Sequence, residues 1–139
     1  MSFDDLPDDW PDRPLTEPRL VADVLDLFVS AADRERGALV VLACDGQARL
    51  VQPFVVSDLD DEVSDQDMER AFNLFVSPMA GVGSLLVAIA RKDGLSITAA
   101  DRAWCRAAQR ACGDGVRLLG VHVVTLYGSR VVPAAHAAA

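Results

Sequence analysis

The chain has 139 residues, is 51% hydrophobic and carries a formal net charge of −8. That length and apolar content fit one domain with a core of its own. No apolar run reaches the roughly 18–20 residues of a bilayer-crossing helix. The acidic start Met-Ser-Phe-Asp-Asp-Leu-Pro-Asp-Asp-Trp lacks the basic segment and apolar run of a signal peptide, so a cytoplasmic protein is expected.

Residues 1–16 hold five Asp and three Pro, with Phe3, Leu6 and Trp10 as the large apolar anchors. Prolines at 7, 11 and 14 interrupt any helix, so the segment reads as an extended acidic arm. Its anchors either fold back onto the domain or form a short peptide ligand for another protein. Thr16 is the expected N-cap of a first helix, with Pro18 near its start. Leu20, Val21, Val24, Leu25, Phe28 and Ala31 recur at helical spacing, which predicts one amphipathic helix over 17–33.

Gly37 separates that helix from the apolar run Ala38–Cys44. Asp45-Gly46 is a turn signal, and Arg49–Val56 supplies a second run, so the pair reads as a β-hairpin. Pro53 removes one ladder donor and places the second strand near an edge or at a bulge. Residues 57–67 are an acidic loop without the ordered spacing of an EF-hand. Ser64 with Asp67 resembles a capping arrangement for a second helix to about Val76. Ser84–Ala90 is uniformly apolar and is expected at the centre of the sheet. Thr98 caps a third helix to about Cys112, closed by Gly113 and Gly115. Arg117–Thr125 and Ser129–Val132 are two more strands, and 134–139 is a frayed tail. The expected fold is α/β, one domain over 17–133 with a mixed sheet of about five strands and three helices.

The segment 82–101, Val-Gly-Ser-Leu-Leu-Val-Ala-Ile-Ala-Arg-Lys-Asp-Gly-Leu-Ser-Ile-Thr-Ala-Ala-Asp, resembles the active-site segment of the JAB/MPN metalloprotease fold in its RadC-like bacterial branch. There a strand ends in His-x-His, followed by seven residues, a Ser, two residues and an Asp. Without a gap, those positions fall on Ala88, Ala90, Thr98 and Asp101. The element order is similar too, and Val116-Arg-Leu-Leu-Gly-Val-His-Val-Val resembles the family's closing strand. The likeness covers about residues 18–133. It implies a zinc cleft whose general-base position lands on Gly37, with Glu35 two residues away. Alanine binds no metal, so the resemblance implies a catalytically inactive member that needs no cofactor. Inactive MPN domains serve as dimerisation and docking platforms, which implies a protein partner or self-association. Alternatively, the emptied cleft at Ala88, Ala90, Thr98 and Asp101 accepts a small ligand or supports metal-independent chemistry. A second alternative is a DNA-associated role, as the RadC name suggests.

The residues themselves offer no other catalytic set. Gly81-Val-Gly83 precedes a strand and lacks the Lys of a phosphate loop. Ser84 and Ser96 have no His placed to activate them and no G-x-S-x-G elbow. Cys44, Cys105 and Cys112 form an odd set without Cys-x-x-Cys spacing and read as buried thiols. His122 lies on a predicted strand and His136 in the tail. Asp101 in the first turn of a helix also suits the helix dipole. Charge is placed unevenly: residues 1–69 hold 18 acidic and 5 basic side chains (−13), and residues 70–139 hold 3 and 8 (+5). Arg102, Arg106 and Arg110 recur every four residues on the third helix, with Arg91, Lys92 and Arg117 as expected neighbours. They form either a solvent face or a docking strip for an acidic partner, including the acidic arm of another copy. The net charge opposes nucleic acid. Trp104 on the same helix is either an interface anchor or a core residue at the spacing of Ala108 and Ala111.

Overall fold

The computed structural model describes residues 7–57, 64–76, 83–113 and 115–133. Four helices and five strands run in the order α1 (Pro18–Phe28), α2 (Ala31–Arg36), β1 (Ala38–Asp45), β2 (Leu50–Ser57), α3 (Asp65–Val76), β3 (Gly83–Ala90), α4 (Ala99–Cys112), β4 (Arg117–Thr125) and β5 (Gly128–Val131). The strands form one mixed sheet in the order β2-β1-β3-β4-β5, with β3 and β4 parallel and the other neighbours antiparallel. This α/β architecture agrees with the sequence reading at the level of fold class. Among the described residues the helix count is four rather than three.

The extra helix comes from a break in the expected 17–33 helix. α1 ends at Phe28, and Ser30 opens α2 with a capping box: its hydroxyl accepts from Asp33 N–H at 3.0 Å, and its own N–H donates to Asp33 Oδ2 at 3.3 Å. A serine that satisfies free amides starts a helix more readily than it sits inside one. The expected cap at Thr16 is also displaced. Glu17 is the N-cap, it makes no side-chain capping bond, and Pro18 follows at the first position, where a missing N–H costs nothing.

β1 and β3 are apolar throughout because helices cover both faces of the sheet's centre. On one side Leu20, Val21, Val24 and Leu25 of α1 pack on Val40, Leu42, Leu86, Ala88 and Ala90. On the other side Met68 and Phe72 of α3 and Trp104, Ala107 and Ala108 of α4 pack on Leu39, Val41, Leu85, Val87 and Ile89. Trp104 is therefore a core residue, edge-on to Phe72 with ring centroids 5.8 Å apart. Cys44, Cys105 and Cys112 are buried, as expected of core thiols.

The described part of the arm lies against the domain. A 3₁₀ turn spans Trp10–Asp12, where an extended arm was expected. Trp10 meets Phe28 at a centroid distance of 6.1 Å. Leu15 is fully buried, and its N–H donates to Ala48 O at 2.8 Å. Phe3 and Leu6, like the tail 134–139, lie outside the described residues.

β2 is an edge strand, as Pro53 foretold, and its register with β1 shifts near Ala43. Asp45 N–H donates to Arg49 O across the hairpin, so every second residue of β1 back from Asp45 turns its peptide groups towards β2. Leu42 falls between them. Its partner Pro53 therefore turns its nitrogen to the open edge, and Gln52 Nε2 donates to the Pro53 carbonyl at 3.2 Å. Both features blunt the edge against strand addition.

Candidate functional site

A cavity of about 620 Å³ opens at the C-terminal end of β3, between the end of α2 and the first turn of α4. Ligand pockets commonly have volumes of about 300–1,000 Å³. Crevices beside the carboxyl end of a parallel strand and the helix that follows it are frequent binding places in α/β sheets. Glu35, Arg36 and Gly37 form one wall, Ala90 to Asp93 another, and Thr98, Ala100 and Asp101 a third. Met68, Ile89 and Trp104 supply an apolar floor.

Each wall follows from local sequence. Gly37 ends α2 at φ 91° and gives its N–H to Asp33 O at 2.8 Å, a backbone conformation that side chains with a Cβ resist. Thr98 opens α4 with a full capping box: its hydroxyl accepts from Asp101 N–H at 3.1 Å, and its own N–H donates to Asp101 Oδ2 at 2.9 Å. The loop between these walls is wrapped around Arg91. Nε and Nη2 of Arg91 donate to the two carboxylate oxygens of Asp101 at 3.1 and 2.8 Å. Its remaining N–H groups reach the carbonyls of Lys92, Gly94 and Ser96 at 2.9, 2.9 and 2.8 Å. A guanidinium carries five N–H donors, so Arg91 is fully spent. It is a structural clamp, not a member of the basic strip.

The sequence-predicted residues separate in space. Ala90, Thr98 and Asp101 line the cavity together, with Glu35 and Gly37 from the expected general-base position. Ala88 does not line it. It is fully buried, with Ala90, in the core beneath α1, and its partner on β4 is His122. Burial lowers the His122 pKa to about 4, which keeps the imidazole neutral. Asp101 is 1% exposed.

These residues do not fit a zinc ion. Ala90 has no ligand atom, both Asp101 oxygens are engaged by Arg91, and Glu35 points to Lys92 Nζ at 3.4 Å on the surface. Among the described residues no three His, Cys, Asp or Glu side chains converge as a metal would need. Cys44 and Cys112 are held in the thiol form. Desolvation by burial, with Asp45 adding for Cys44, pushes Cys44 up to about 12, and burial alone pushes Cys112 up to about 11.

The basic strip keeps its expected place. Arg102, Arg106 and Arg110 are exposed along α4. Arg110 is tied to Glu69 of α3 at 3.6 Å, while no ion pair among the described residues engages Arg102 or Arg106. Sequence reasoning missed Arg36 and Met68 as cavity residues. Neither position carries a motif, and α2 and α3 reach the cleft from distant parts of the chain. Comparison with known proteins found no family model, curated protein or solved structure that matches this chain.

Proposed function

We propose that this chain is a JAB/MPN-like, RadC-like domain that has lost its metal chemistry and uses the emptied cleft to bind a small ligand. The observation that carries this reading is the cavity itself. The cleft is open, with polar side chains on its walls and an apolar floor beneath them. A scaffold with no further use for its cleft would be free to fill it. The hydrolytic reaction is lost with the histidines, because a water needs a Lewis acid or a strong base to attack an amide.

Two measurements on the full chain test the reading. Elemental analysis should find no stoichiometric zinc, and one zinc per chain would overturn the inactive assignment. A fragment screen followed by two-dimensional amide NMR should give saturable shifts at Ala90, Thr98 and Trp104. If no fragment shifts those residues, the cleft is not a ligand site.

A protein-interaction or dimerisation role has its own support. β2 exposes Val51, Phe54, Val55 and Val56, at 66, 38, 47 and 40% of their surface. Apolar side chains gathered on one edge strand mark a surface suited to a partner. The guarded edge at Pro53 favours contact through side chains over strand addition.

A further inference from the structure

We propose that the cleft takes a small amphipathic anion, a carboxylate or phosphate group joined to an apolar or aromatic body. The inference rests on the cleft being a ligand site. It follows from which polar groups around the cavity are already spent.

Arg91 and Asp101 satisfy one another, and every donor of Arg91 has a partner. That pair shapes the wall and leaves nothing to offer a ligand. Thr98 accepts the Asp101 amide, so its hydroxyl proton is left to donate. Arg36 is exposed on the opposite wall, and no ion pair among the described residues engages its guanidinium. Lys92 meets Glu35 at 3.4 Å, with both side chains more than 60% exposed. A solvated pair of that length is easily exchanged for another anion. The donors open to a ligand are thus a guanidinium, an ammonium and a hydroxyl, set against the carboxylates of Glu35 and Asp93.

Beneath them Met68, Ile89 and Trp104 present apolar surface, which suits a hydrocarbon or ring. A fully polar anion would leave that floor uncovered, and a neutral hydrocarbon would leave the Arg36 guanidinium unanswered. Glu35 opposes the anion once Lys92 leaves it, and Asp93 opposes it throughout. Asp93 lines the cavity at φ 73°, and no ion pair among the described residues engages its carboxylate. Its removal should therefore strengthen binding, a sign that a purely apolar cleft would not produce.

The test uses the full chain with Trp10→Phe, which leaves Trp104 as the single tryptophan. Four probes of similar size are titrated against the Trp104 indole NMR signal: phenylacetate, phenyl phosphate, neutral phenylacetamide and cationic phenethylamine. The two anions should bind about tenfold tighter than the other probes, as charge-assisted hydrogen bonds imply. Arg36→Gln with Lys92→Gln should erase that preference, and Asp93→Asn should tighten the anions severalfold. Arg106→Gln, on the outer face of α4, should change nothing. Whichever anion binds tighter, the carboxylate or the phosphate, names the natural head group. If the amide or amine binds as tightly as the anions, the anion assignment is overturned while the ligand-site reading stands. If none of the four probes moves Trp104 or its neighbours, both fall.

Discussion

Arg91 closes β3 at the point where the loop of the cleft begins, and its side chain turns back to hold that loop. Removing it would leave the Asp101 carboxylate buried without its cation and free three backbone carbonyls. Breaking one side of a buried pair typically costs about 3–5 kcal/mol. Arg91→Ala should therefore lower the unfolding free energy by about 3 kcal/mol in urea titrations, discounted for the part of Arg91 that meets solvent. Arg91→Lys should recover only part of this loss, since an ammonium cannot reproduce the planar fork. An unchanged urea midpoint for the alanine variant would mean the pair carries no weight. The sequence disclosed half of this arrangement. Asp101 in a first helical turn was readable as a dipole partner, but the return of Arg91 depends on a loop whose path no local pattern specifies.

His122 makes the second case at this scale. Its folded pKa of about 4 lies below the ordinary 6.5, because burial disfavours the charged ring. The unfolded chain then binds more protons between these values, so stability is full above 6.5 and is lost as pH falls towards 4. A shift of this size corresponds to at most about 3 kcal/mol. Urea midpoints of the wild type should fall between pH 7.5 and pH 5 more steeply than those of His122→Gln. Parallel slopes for the two proteins would show that the imidazole is not the cause.

Among the elements, α2 decides whether the cleft has a second wall. It is short, and three features fix it: the Ser30 capping box, Gly37 at its end, and Arg34. The Arg34 side chain joins Asp26 at 3.0 Å, Val29 O at 3.0 Å and Thr125 O at 3.3 Å. Hydrophobic periodicity hid this break, because Ala31 continues the apolar stripe of α1 across it. The overlooked signal was Ser30 with Asp33, the same pattern that marks α3 at Ser64 and Asp67 and α4 at Thr98 and Asp101. Ser30→Ala should cost about 1 kcal/mol, the usual loss of a helix cap. It should also broaden the amide signals of Glu35 and Arg36 while leaving those of α4 sharp. Uniformly sharp signals at both sites would show that the cap does not hold the wall. The strands were more legible, because long apolar runs bounded by Gly and Asp leave few alternatives, and Pro53 alone foretold the edge. Ala88 and Ala90 had to share a face by strand alternation, yet alternation cannot say which layer covers that face. Ala88 therefore came out beneath α1, away from the cleft.

For the molecule as a whole, the strongest remaining asymmetry is electrostatic. The first 69 residues sum to −13 and the rest to +5, and the exposed row on α4 presents cations away from the sheet. Within the described chain that row is answered only at Arg110, by Glu69. An acidic segment of a second copy has the complementary sign, and such contacts weaken as salt shortens the reach of charge to about 8 Å at physiological ionic strength. Arg102→Glu with Arg106→Glu tests this without disturbing the core, since both side chains lie in solvent and a Glu early in α4 suits the helix dipole. The double reversal takes the net charge from −8 to −12, two units for each site. Light scattering at low salt should find the wild type heavier than its 14.9 kDa chain mass and the variant closer to it, with equal unfolding midpoints. Added salt should bring the wild type down to the variant. A wild type that stays monomeric throughout, or a variant that associates equally well, would leave the arginine row as a solvated helix face and turn the search for a partner to the apolar side chains of β2.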